Sequence, residues 1–195
     1  MAKIVIIDYG MGNLHSVAKA LNHVIDKNFT IKISSSLADI KNSSHIIFPG
    51  QGAVSECMKN IKKTYDVDKF DELIQDRPFL GICMGLQVLM TNSTENEGVN
   101  CLNLFEGEVL SLKKYLMEEK KVYKIPHMGW NKIKLERDHP VFRDIENESY
   151  FYFVHSFFVK PKLNDIALCK TLYGIDFVSG IAKDNIVAVQ FHPEK

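Results

Sequence analysis

The sequence predicts an α/β protein in three layers, αβα, with a mostly parallel central sheet and an antiparallel extension in its C-terminal half. Three observations predict it. Short β-branched apolar runs alternate with helix-spaced segments through the first half, the pattern of a parallel sheet covered on both faces. The second half is a series of strand-like runs with few helical stretches between them. At 195 residues the chain is long enough for one substantial core, and residues 1–195 read as a single domain with no linker or repeat.

"KIVIID" (3–8) reads as a first buried strand, ending in the glycine-bearing turn "YGMGN". Apolar residues at Leu14, Val17, Ala18, Leu21 and Val24–Ile25 follow helical spacing. "TIKIS" (30–34) alternates like a strand, and "HIIFPG" (45–50) is a buried strand stopped by Pro49–Gly50. Two helices are expected across 53–75, and "PFLGI" is the next strand. The later runs "EGEVLSL", "WNKIKLE", "SYFYFVHSFFV", "DIALCK", "DFVSGIAK" and "NIVAVQF" make up the expected extension.

Composition excludes several function classes. The 24 basic and 24 acidic side chains cancel, so no broad field favours nucleic acid or an anionic membrane. Lysine pairs such as Lys113–Lys114 and Lys120–Lys121 alternate with acids and read as a solvated face. No segment has the length of a membrane span, and no leader pattern is visible at the N-terminus. The four cysteines form neither a CxxC pair nor a zinc-spaced cluster, so no metal or other cofactor is expected. Free thiols suit a reducing, cytoplasmic setting. Cys57, Cys101 and Cys169 read as packing residues.

Cys83 is different. "GICMG" (81–85) has the G-x-C-x-G spacing of a nucleophile elbow, in which a strand turns sharply into a helix and the flanking glycines leave room for the chain to double back. A helix starting near Met84 would place its N-terminal N–H groups and dipole beside Cys83, favouring thiolate. A thiol nucleophile needs a base and the base an orienting group. "VQFHPEK" supplies His192 and Glu194 two positions apart, on one side of an extended segment that Pro193 stiffens. The plainer readings are a buried small hydrophobe and a solvated terminal loop; finding both motifs in one chain favours the catalytic one. "FPGQGA" (48–53) follows a strand, so its glycine-rich backbone can share the sheet edge with the elbow and offer oxyanion donors.

The elbow, the PG-x-G-A turn and the terminal FHPE resemble class I (triad) glutamine amidotransferases, a flavodoxin-like fold. "DYGMGNLHSV", "PHMGWN" (126–131) and "YFVHSF" (152–157) narrow the resemblance to the glutaminase subunits of imidazole glycerol phosphate synthase. It runs from about Ile4 to Lys195. It implies that Cys83 attacks the side-chain amide of L-glutamine, with His192 as base and Glu194 orienting it. Gly50, Gln51 and Gly52, with the N–H of Met84, would form the oxyanion hole. Gln87 and the backbone around His155 and Ser156 would hold the substrate. The ammonia would pass to a (β/α)8-barrel synthase subunit in a heterodimer, because no phosphate-binding or dinucleotide motif in this chain accounts for its use. Asn13, His127, Met128, Gly129, Trp130, Asn131, Tyr152 and Lys195 would lie at that contact, with Trp130 as aromatic anchor or, on the plainer reading, a core residue. Two departures stand out: Gln51 where many members carry valine, and Asn103 where glycine is usual. The same glutaminase chemistry serving amidation of a bacterial surface sugar, or an idle binding module on the same fold, remain the alternatives.

Overall fold

The computed structural model describes residues 1–120 and 122–195, so Lys121 of the second lysine pair lies outside the described residues. The chain begins with β1 (Ala2–Ile7), α1 (Leu14–Val24), β2 (Phe29–Ser34), α2 (Leu37–Lys41) and β3 (His45–Gly50). It continues with α3 (Val54–Thr64), α4 (Phe70–Ile74), β4 (Phe79–Cys83) and a one-turn α5 (Met84–Gln87). The strand–helix alternation of the first half is therefore real, and its layers follow from the two-residue period of β1. Ile4 and Ile6 pack with Val17 of α1 on one face, while Val5 and Ile7 pack with Ile40, Met58, Ile61 and Phe70 of α2, α3 and α4 on the other. α1 and α2 start where side chains cap them: Asn13 Oδ1 accepts from Ser16 N–H at 3.3 Å, and Ser36 Oγ from Asp39 N–H at 3.5 Å. β3 runs through Pro49 to Gly50 instead of stopping before them.

The second half comprises β5 (Asn92–Ser93), β6 (Val99–Asn100), β7 (Gly107–Ser111), α6 (Leu112–Glu118), β8 (His127–Lys132) and β9 (Lys134–Leu135). Then follow β10 (Tyr150–His155), β11 (Phe157–Pro161), β12 (Ala167–Tyr173), β13 (Ile175–Lys183) and β14 (Ile186–Val189). The main path of the large sheet is β2-β1-β3-β4-β14-β13-β11-β7-β5-β6, and the block β2-β1-β3-β4-β14 is parallel throughout. Strands β13, β11 and β7 extend it in antiparallel fashion, as the sequence predicts. A strand from the far end of the chain thus lies beside the one that ends in Cys83.

Two features of the second half differ from the sequence reading. α6 sits among the strands, with Leu112 and Leu116 buried one turn apart and Ser111 capping it. "SYFYFVHSFFV" is not one strand: it breaks at Ser156, sending β11 into the main sheet and β10 into a separate antiparallel ribbon with β8. Among the described residues no helix is long and apolar enough to cross a membrane.

Candidate active site

Cys83 ends β4 and precedes α5 with φ +56° and ψ −105°, a conformation that L-residues rarely adopt and that costs on the order of 1–3 kcal/mol. The glycines around it are there for close approach. A Cβ on Gly81 would come within 2.6 Å of the Gly85 carbonyl oxygen, and one on Gly85 within 2.0 Å of the Phe48 carbonyl oxygen. β3, β4 and the elbow therefore pack backbone to backbone. The helix behind Cys83 is shorter than the sequence implies, a single turn continued by i→i+3 bonds from Leu89 and Met90. Its dipole is correspondingly small, so the local N–H groups, and not a long helix, are what the elbow offers a thiolate.

His192 and Glu194 come from the other end of the chain. Glu194 Oε1 accepts from His192 Nδ1 at 2.8 Å, and both side chains are largely buried. The His192 backbone N–H donates to the Tyr152 carbonyl at 2.9 Å, an isolated antiparallel bridge that fastens the terminal segment to the β8–β10 ribbon. Burial disfavours the imidazolium, but the interaction with Cys83 across the cavity and the hydrogen bond and charge of Glu194 outweigh it and hold the His192 pKa up at about 10. Nε2 is buried short of a formed hydrogen bond. Catalytic contacts are often long until substrate binds.

Cys83 and His192 face one cavity of about 600 Å³, which Gln51, Gly52, Met84, Gln87, His155, Ser156 and Phe157 also line. The structure thus gathers the expected nucleophile, base and substrate-holding positions. Gly52 has φ +88°, which glycine adopts without strain. Gly50 departs from expectation: it lines a second cavity of about 230 Å³ instead. That cavity shares Gln51, Val154 and His192 with the first and is also bounded by Asn13, Tyr152, Glu194 and Lys195. Three of the residues expected at a partner contact therefore sit directly behind the base.

The rest of that expected contact divides by the period of β8. Met128 and Trp130 are 58% and 60% exposed, so Trp130 is not a core residue. His127 is buried, stacked between the rings of Phe153 and Tyr173, and its side chain cannot reach a partner. Asn131 also turns inward, its Nδ2 bonded to His127 Nε2 at 3.2 Å and the Leu172 carbonyl at 3.0 Å. Gly129 adds no side chain.

Two residues with a part in the site have no signal in the sequence reading. Glu95 puts a carboxylate on the cavity wall while its Oε2 accepts from Val54 N–H at 2.5 Å, capping α3. Gln190 Nε2 donates to Cys83 Sγ at 3.6 Å. Glu95 lies in a polar stretch without periodicity, and Gln190 ends an apolar strand; only tertiary pairing gives either a role.

Residues 5–195 match the model of the family described as glutamine amidotransferase class-I. The chain belongs to that family. Relatives of this amidotransferase named imidazole glycerol phosphate synthase subunit HisH include one from Hydrogenovibrio crunogenus, 50% identical over 98% of this chain and 89% of the relative. Another, from Pseudomonas syringae, is 45% identical over 100% and 91%. The fold is shared with more distant solved structures. One glutamine amidotransferase matches with TM-score 0.70 at 14% identity, covering 97% of this chain and 90% of the other. A Thermotoga maritima glutamine amidotransferase matches with TM-score 0.63 at 15% identity, covering 99% and 76%. Within this amidotransferase Asn103 adopts φ +53°, so asparagine supplies the left-handed backbone that the usual glycine would, and its N–H still donates to the Met90 carbonyl at 2.9 Å. The other three thiols are suppressed, burial pushing Cys57, Cys101 and Cys169 each up to about 12.

Proposed function

We propose that residues 1–195 act as one glutaminase domain that hydrolyses L-glutamine to glutamate and ammonia, and passes the ammonia to a (β/α)8-barrel synthase subunit making imidazole glycerol phosphate and aminoimidazole carboxamide ribotide. The observation that carries this reading is the meeting, on one cavity, of a strained Cys83 and a His192 held by Glu194. The Cys83 thiolate attacks the carbonyl carbon of the glutamine side-chain amide. Negative charge gathers on the carbonyl oxygen, and the Met84 N–H and the Gln51–Gly52 backbone, which line the same cavity, would receive it; each such donor is worth about 10²–10³ in rate. The His192 imidazolium gives its proton to the departing nitrogen, releasing ammonia and leaving a glutamyl thioester on Cys83. Neutral His192 then takes a proton from water, whose oxygen attacks the thioester and frees glutamate.

Around that chemistry, the Glu95 carboxylate suits the ammonium group of a free amino acid, and Gln87 and the backbone at His155–Ser156 suit its polar end. The second cavity behind His192, together with exposed Met128 and Trp130, supports a partner on that side. The names carried by relatives that match nearly the whole chain, subunits of a synthase, support the acceptor. The test is ammonia release from glutamine by the purified chain, with and without a cognate barrel subunit holding its nucleotide ligand. Release that depends on Cys83 and rises with the partner is expected. No release in either state would overturn the reading.

A further inference from the structure

The polar side chains around the site form one continuous chain, and donor–acceptor logic gives every link a direction. The Phe157 carbonyl can only accept, so His155 Nδ1, 2.8 Å away, carries a proton. In a neutral ring Nε2 of His155 is then an acceptor, and it receives Nδ1–H of His127 at 2.9 Å. Nε2 of His127 in turn accepts from Asn131 Nδ2 at 3.2 Å. The same Phe157 carbonyl accepts from Gln87 Nε2 at 3.1 Å, filling its second lone pair. Gln87 Nε2 also donates to Gln190 Oε1 at 2.9 Å, which leaves the Gln190 Nε2 end to donate to Cys83 Sγ at 3.6 Å. His127, His155, Gln87 and Gln190 are all buried, Gln190 completely.

We propose that Gln190 is a positioning residue for the Cys83 nucleophile, holding its sulfur by an N–H donor; the acceptor-only Phe157 carbonyl, held in place by the chain Asn131–His127–His155, fixes through Gln87 which way the Gln190 amide points. A flipped Gln190 would set its oxygen against the thiolate and its NH2 against the NH2 of Gln87; the chain forbids the flip. The same constraint fixes Gln87, whose Oε1 is buried without a hydrogen-bond partner among the described residues. Burial keeps both rings neutral, lowering His127 to about 4 and His155 to about 3, as the alternating donors and acceptors require. A doubly protonated ring anywhere in the chain would put two donors face to face and break it.

This inference rests on the glutaminase reading, and its readouts need no glutamine. In the full chain, the rate of Cys83 alkylation by iodoacetamide is followed against pH in wild type and in Gln190→Met, which keeps the volume and removes the donor. A hydrogen bond to a charged sulfur is lost, so alkylation at neutral pH falls about tenfold to a hundredfold and its midpoint moves up by about one unit or more. Gln190→Leu, which also removes the donor, shifts the midpoint the same way and serves if the methionine variant does not fold. His127→Phe keeps the stacking and removes both ring nitrogens, giving a smaller shift in the same direction. His192 remains the facing titratable partner in each variant, with Tyr9 and Cys57 nearby held protonated by burial. Nitrogen NMR on the unmutated chain gives the second arm: both His127 and His155 are expected neutral and protonated at Nδ1 at neutral pH. Folded Gln190 variants with wild-type alkylation profiles overturn the positioning role, and an Nε2-protonated ring overturns the chain. A wild type that shows both signatures yet releases no ammonia would instead sink the glutaminase reading alone.

Discussion

The corner of β3, β4 and α5 that carries Cys83 and the β8–β10 ribbon that anchors His192 hold their groups by different means. In the corner the constraint is backbone against backbone: Gly85 lies where any side chain would enter the Phe48 carbonyl, and Cys83 is bent to a positive φ by the packing around it. In the ribbon the constraint is a set of hydrogen bonds, from the His192 N–H to the Tyr152 carbonyl and from the ring Nδ1–H to Glu194. Steric overlap between fixed backbones has no cheap relief, whereas a hydrogen bond contributes about 0.5–1.5 kcal/mol net. Changes in the corner should therefore be all-or-none, and changes on the ribbon side graded.

The largest effect tests the corner directly. Cys83→Ala removes the sulfur on which the proposed thioester forms, and glutamine hydrolysis should fall by about 10⁴-fold or more, measured as ammonia release. His192→Ala should cost nearly as much, and the double variant little more, because the two act as a unit. Cys83→Gly should be equally inactive but more stable than the alanine variant by about 1 kcal/mol in denaturant unfolding, since glycine accepts φ +56° without strain. A glycine variant no more stable than alanine would mean that the elbow stores no strain.

Gly85→Ala comes next. The added Cβ would sit 2.0 Å from the Phe48 oxygen, so β3 and the elbow must separate. A stability loss of about 4 kcal/mol or more is expected, together with loss of Cys83 reactivity. A loss under about 1 kcal/mol would show that the corner relaxes, and the comparison with the ribbon would fail.

Glu194→Gln probes the graded side. The amide oxygen can still accept from Nδ1–H but carries no full charge, so the imidazolium loses part of what holds its pKa near 10. The titration midpoint of His192, followed by NMR, should move down toward its ordinary value near 6.5. The sign for stability follows: a raised pKa contributes stability that is complete below about pH 6.5 and disappears as pH rises through about 10. The variant should lose less stability across that window than wild type. Its kcat should fall by about 10²-fold or less, well short of Cys83→Ala. A His192 midpoint unmoved by the change would show that Cys83 alone sets the base.

Legibility in the sequence divides along the same line. Gly81, Cys83 and Gly85 announced the elbow because backbone contact leaves glycine as the only residue that fits, and such a demand is written locally. The unbroken apolar run at 4–7, followed by a helix-spaced segment, announced the layered sheet, because a strand covered on both faces has no polar position. His192 and Glu194 were legible because they are neighbours in one extended segment. Gln190, Glu95 and the inward turn of His127 were not, since each acquires its role from a partner far away in sequence: 107 residues for Gln190 and Cys83, 41 for Glu95 and Val54, 28 for His127 and His155. Treating 127–131 as one interface block also overlooked the strand's period of two, which sends alternate side chains to opposite faces. α6 was hidden by its length, seven residues between strands.

That period supplies the smallest effect and the sharpest test of the ribbon. On β8 the outward residues Met128 and Trp130 are exposed, and the Trp130 ring meets Tyr152 edge-on at 5.8 Å, next to the cavity that Tyr152 and Lys195 border. Trp130→Ala removes a large, already ordered aromatic surface while leaving the inward chain from Asn131 to Gln190 in place. Thermal stability should change by no more than about 0.5 kcal/mol, as for other exposed positions. Affinity for the proposed partner subunit, measured by titration calorimetry, should weaken by about 30-fold, the loss of roughly 2 kcal/mol expected of an aromatic anchor. His127→Phe, three residues away on the opposite face of the strand, should show the converse: affinity nearly unchanged and Cys83 alkylation slowed. If Trp130→Ala slowed alkylation as much as His127→Phe does, the two faces of the strand would not be separate, and the division between docking surface and positioning chain would be wrong.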